Sequence, residues 1–122
     1  MRIISDLHLH SKYARGCSKD LNIQNIERWS RIKGIDIIGS GDFTHPKWIN
    51  EIKENLTETD DGILKTKNGF PFILTSEISL IYTDMGKVRK IHNIVWAPNL
   101  DVVSQITEYL SKKGRIDYDG RP

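Results

Sequence analysis

The chain has 122 residues with 38% apolar content and a net charge of +2, which suits one domain with a modest core and leaves no room for two. The charge is too small to argue for a polyanionic partner by itself, no apolar run approaches the roughly 20 residues of a membrane span, and the first residues lack the basic start and apolar stretch of a signal peptide. The single cysteine, Cys17, excludes an internal disulfide framework and fits a reducing cytoplasm. In chain order, residues 2–9 read as a first strand. Leu21, Ile23, Ile26, Trp29 and Ile32 form the stripe of an amphipathic helix that Gly34 closes. Residues 35–40 are a short apolar run, the pattern of a strand buried on both faces. Pro46 suits a helix's first turn, and Trp48, Ile49, Ile52 and Leu56 supply that helix's apolar side.

Residues 57–62 form an acidic loop, and Asn68-Gly69 is a turn dipeptide suited to a small hairpin. Residues 72–75, 78–82 and 91–96 read as strands, with Asp84-Met85-Gly86 as a tight connection between the last two. A closing helix carries Val102, Val103, Ile106 and Leu110, with Gly114 as its stop. Strands alternating with helices predict an α/β fold with mostly parallel strands. The tryptophans Trp29, Trp48 and Trp96 are expected in the core.

Sites in such folds gather at the carboxyl ends of strands, and most of the polar clusters of this chain fall there, whereas His92 begins its strand. Asp6, His8 and His10 follow one another at i, i+2 spacing, so on a strand all three would share one face. An H-x-H pair presents two imidazoles to one ion; the plainer reading is two hydrogen-bonded histidines on a half-exposed strand. Asp6 is either a ligand or an acceptor that orients an imidazole N–H. Asp42 and His45 follow Gly39-Ser40-Gly41, small residues that permit close backbone approach, although Asp42 or Thr44 could equally cap the next helix. Glu77 interrupts an apolar run, where an isolated carboxylate is costly without a cation or donors; its plainer reading is a solvent-facing acid on an edge strand. His92 alone reads as well as a satisfied core histidine, Cys17 as a loop residue sooner than a ligand, and Lys87, Arg89 and Lys90 as a solvated turn and strand edge, with phosphate contact the lesser reading.

Taken together, an Asp-x-His-x-His after the first strand, a G-D-x-x-H element after the second, a lone Glu on a later strand and then a His resemble the PHP (polymerase and histidinol phosphatase) domain. The stretches DLHLHSKYARGCSKDLNIQNIERWSRIKGIDIIGSGDFTHPKW, FILTSEISLIYTDMGKVRKIHNIVWAP and the terminal DYDGRP are similar to the endonuclease Q branch over essentially the whole chain. The resemblance implies a distorted β/α barrel whose mouth holds up to three metal ions, zinc or another divalent transition metal such as manganese. It places His8 and His10 on one ion, Glu77 bridging two, and His92 on the second. Phe43 stands where the family carries a histidine, which makes His45 the candidate replacement ligand. Asp6 and Asp42 are the carboxylates expected to take part in catalysis.

The implied reaction is metal-assisted phosphodiester hydrolysis, with DNA nicked on the 5′ side of a deaminated base. The family supplies further ligands from later strands, so residues 1–122 are expected to be the N-terminal part of a PHP domain. Such a part would be weakly active or inactive alone, and prone to self-association or to pairing with a complementary C-terminal fragment. Two other functions fit the same residues: a PHP phosphatase of small phosphomonoesters, and a non-enzymatic remnant that binds metal or nucleic acid.

Overall fold

In a computed structural model the described residues are 1–117; all of the terminal DYDGRP block after Asp117 lies outside them. The element order is β1 (Ser5–Asp6), α1 (Ile23–Lys33), β2 (Ile37–Gly39), α2 (Pro46–Asn55), β3 (Thr57–Glu58), β4 (Leu64–Lys65), β5 (Pro71–Asp84), β6 (Lys87–Ala97) and α3 (Leu100–Ser111). The α/β class holds. The sheet runs β1-β2-β5-β4-β3, with β6 also paired to β5. Its parallel part is β1-β2-β5, while β3, β4 and β6 join antiparallel. The antiparallel pairs come from short hairpins, which a chain closes with two to five residues where a parallel crossover needs a helix.

Local chemistry explains the boundaries. The Asn22 side chain accepts from Asn25 N–H to start α1, and Gly34 ends it in the left-handed region at φ 75°. Pro46 opens α2 at a position with no intrahelical partner for its missing N–H. The Asn99 side chain accepts from Val102 N–H at the start of α3. Between β5 and β6, Met85 and Gly86 both have positive φ, the requirement of a two-residue type I′ hairpin. Pairing with β6 runs unbroken from Leu74 to Asp84, so the two strands expected at 72–75 and 78–82 form one strand of 14 residues.

One layer of the core lies between the sheet and the helices. Ile23, Ile26, Trp48, Ile52, Phe72, Leu74 and Val103 are all buried there. Trp48 is fully covered and its indole N–H donates to the carbonyls of Ser40 and Gly41. Trp29 and Trp96, expected in the core, are 52% and 59% exposed instead. Trp29 lies on the outer side of α1, beside exposed Ile32 and a groove of about 300 Å³ lined by Leu9, Leu21, Ile26 and Ile38. Trp96 is paired with Thr75 on β5. No described helix is long and apolar enough to cross a membrane.

The first strand is far shorter than the expected 2–9. Only Ser5 and Asp6 pair with β2, and the following residues leave the ladder to run over the glycines of the β2–α2 connection. A Cβ on Gly41 would sit 2.1 Å from the Leu9 carbonyl oxygen, and one on Gly39 would sit 2.8 Å from that of Leu7. The small residues therefore admit the chain's own histidine-bearing segment. Any side chain there would push it away.

Candidate metal centre

Three separated pieces of chain meet at Glu77. Its residue is 2% exposed, and one carboxylate oxygen, Oε2, lies 3.1 Å from His8 Nε2 and 2.7 Å from His10 Nε2. The other oxygen, Oε1, lies 2.5 Å from His92 Nδ1. His92 reaches it across the β5–β6 ladder, where Glu77 pairs with Ile94 and Ser79 with His92. The donors of His8, His10 and Glu77 all fall within 4.8 Å of one another. Glu77 is thus no solvent-facing edge acid.

Asp42 holds the arrangement from behind. It is fully buried with φ 47°, a left-handed backbone that aspartate tolerates better than most residues. Its Oδ1 lies 2.9 Å from His10 Nδ1, and its Oδ2 accepts from both the backbone N–H and the hydroxyl of Ser11, each at 2.6 Å. Ser11 carries no signal in the sequence beyond following the H-x-H pair. Its role depends on a contact 31 residues away.

Both ring nitrogens of His10 therefore face carboxylate oxygens. A neutral imidazole has one N–H and one lone pair, so one of the two contacts would set a lone pair against an anion. Either a proton or a cation on Nε2 removes that conflict. Accordingly the hydrogen bond that His10 gives to Asp42 raises the His10 pKa; burial opposes it, and the charges of Asp42 and Glu77 add to it. For Glu77, burial pushes the carboxyl up, but the His8 hydrogen bond and the charges of His10, His8 and His92 bring it below its ordinary value. With Nδ1–H given to Asp42, the Nε2 lone pair of His10 is aimed where His8 Nε2 and Glu77 Oε2 already converge. The residues fit a divalent ion.

The remaining candidates lie apart from this point. The Asp6 carboxylate is exposed and accepts from the backbone N–H of His8 rather than from an imidazole, which shapes the turn that presents His8. His45 is the residue that caps α2, its Nδ1 accepting from Lys47 N–H, in place of the Asp42 or Thr44 cap considered from sequence. Its ring stacks on Tyr13 at 4.6 Å and 10°, and burial lowers its pKa. The Tyr13 hydroxyl donates to Glu51, which Lys12 also contacts, each at 2.6 Å. Phe43 is fully buried in the core.

No family model matches the chain. An uncharacterized protein of Methanocaldococcus jannaschii is 36% identical over 118 residues, which are 96% of this chain and 13% of that protein. The crystal structure of PfuEndoQ, a lesion-specific endonuclease from Pyrococcus furiosus, matches with a TM-score of 0.82 at 31% identity. Endonuclease Q bound to a 27-mer duplex with an abasic lesion at its active site matches with a TM-score of 0.83 at 32% identity. Both cover 100% of this chain. Over its whole length the chain is similar to endonuclease Q. It spans 29% of the length of each of these solved endonuclease Q chains, and its sheet, helices and Glu77-centred cluster are the part described above.

Proposed function

We propose that residues 1–122 are part of a PHP-type domain of an endonuclease Q-like enzyme, holding metal for phosphodiester hydrolysis. The observation that carries this reading is the convergence of His8 Nε2, His10 Nε2 and Glu77 Oε2. In this reading His8 and His10 hold one zinc or manganese ion. Glu77 would contribute to that site and, with His92, to a neighbouring one, and His45 is the candidate for a further position. A bound ion of this kind supplies Lewis-acid chemistry, polarising a phosphoryl oxygen and lowering the pKa of water.

The chain's own residues supply the frame. Asp42 fixes the His10 tautomer, Ser11 fixes Asp42, and Asp6 sets the backbone that presents His8. The proposed substrate is duplex DNA bearing a deaminated base, cut on the 5′ side of the lesion. The similarity to a lesion-specific endonuclease, and to endonuclease Q bound to a duplex with an abasic lesion, supports a lesion-bearing duplex; the deaminated base and the 5′ cut are what the sequence resemblance implies.

The test is incubation with Zn²⁺ or Mn²⁺ and an end-labelled duplex containing one uracil or hypoxanthine, alongside a small phosphomonoester. The expected result is slow, metal-dependent nicking 5′ of the lesion that Glu77→Gln abolishes. The rate is expected to be low because Phe43, where the resemblance expects a histidine, is buried in the core and offers no ligand atom. Release of phosphate from the monoester without nicking would point to a phosphatase. Hydrolysis of neither would leave a binding module.

A further inference from the structure

The hairpin of β5 and β6 extends well beyond the metal centre, and residues 80–93 are all exposed. The β5–β6 register assigns its side chains to two faces. The face that carries Glu77 continues outward through the pairs Ser79–His92, Ile81–Lys90 and Thr83–Val88. The opposite face carries Leu80–Ile91, Tyr82–Arg89 and Asp84–Lys87.

The two faces differ in how their cations are answered. On the opposite face Asp84 lies 3.9 Å from Arg89 and directly across the ladder from Lys87. On the Glu77 face Lys90 has no carboxylate across from it and makes no ion pair among the described residues. Its cross-strand partner is Ile81, flanked along β5 by the hydroxyl residues Ser79 and Thr83. Ile81 is four residues from Glu77, roughly 13 Å along the strand at about 3.3 Å per residue. That is a few nucleotides along one strand of a duplex, which carries a phosphate about every 3.4 Å of its axis.

We propose that the Glu77 face of this ribbon is a track for the phosphate backbone of a nucleic-acid strand leading into the metal centre, with Lys90 as its phosphate contact. The proposal rests on the phosphodiesterase reading and adds the direction in which the polymer lies. A lysine without a protein counter-ion offers its charge in full to a phosphate. Hydroxyls on either side can donate to the same backbone, and the unbroken ladder keeps them in line with the site. Arg89 and Lys87, on the far face and beside Asp84, take no part.

The test is fluorescence anisotropy of a labelled duplex with the full chain, in chelator and across a salt series, for the unsubstituted protein, Lys90→Gln and Arg89→Gln. Lys90→Gln is expected to weaken binding about fivefold to tenfold and to lower the salt slope by about 0.9, the share of one phosphate contact. Arg89→Gln is expected to change binding less than twofold. Equal losses from the two variants, no loss from Lys90→Gln, or no binding by the unsubstituted chain at low salt would each overturn the proposal. Metal stoichiometry, measured separately on the same preparations, tests the centre without reference to the ribbon.

Discussion

Strand β5 passes through two environments. From Phe72 to Glu77 it lies inside the molecule, with β2 on one side and β4 then β6 on the other, and Phe72, Leu74, Thr75, Ser76 and Glu77 are buried. From Leu80 to Asp84 it has only β6 as a neighbour, and Ile81 is 64% exposed. Burial depends on layers and not on strand pairing. The inner half has helices over one face and the histidine segment over part of the other; the outer half has a ladder and, among the described residues, no cover. Glu77 sits where one half gives way to the other, so its carboxylate is enclosed while His8 and His92 stay open to solvent at 56% and 42%.

The largest expected contrast is in stability. Trp48→Ala, which empties a fully covered site and strips the donor from two buried carbonyls, should cost about 3–5 kcal/mol. Val88→Ala on the ribbon should stay within about 0.5 kcal/mol. Urea unfolding of both variants measures the difference, and similar costs would mean that the ribbon is packed in solution. If it is, the cover is another molecule: Trp29, Ile32 and the open edge of β1 favour association. Sedimentation across a concentration series should then show mass rising with concentration.

Next comes the hold that the buried half exerts on the site. Asp42→Asn keeps the shape but withdraws the charge behind His10, and metal affinity should fall about 10- to 100-fold; Asp6→Asn should change it less than threefold. Calorimetric titration separates the two. Equal effects would place Asp6 behind an imidazole after all.

The smallest effect is a titration. The Glu51 hydrogen bond, then burial and the Glu51 charge, push the Tyr13 hydroxyl up to about 12. A folded-state pKa above the unfolded value near 10 means a stabilising contribution that is intact below pH 10 and lost as pH rises toward 12. Ultraviolet titration should show one late tyrosine step, absent in Tyr13→Phe. A titration unchanged by that substitution would show the bond to Glu51 is not formed.

Much of this was legible in the residues. Helix α1 announced itself by its stripe and Gly34, α2 by Pro46, and the hairpin turn by Met85-Gly86. The H-x-H pair and Glu77 stood out because apolar runs seldom carry such groups. What escaped was set by distance in the chain. Spacing on an ideal strand put Asp6 with the histidines, but the strand ends at Asp6, and the acid behind His10 comes from 32 residues further on. Trp96 looked like core because its strand is apolar, yet the histidine segment stops short of it and it stays 59% exposed. The exposed arm followed from the absence of cover, which no local pattern records.

The central claim is that His8, His10 and Glu77 hold a metal ion. Dialysis against Zn²⁺, then against metal-free buffer, with elemental analysis of the retained protein tests it most directly. At least one ion per chain should remain on the unsubstituted protein and be lost from His8→Ala/His10→Ala and from Glu77→Gln. Stoichiometry unchanged by those substitutions would contradict the account.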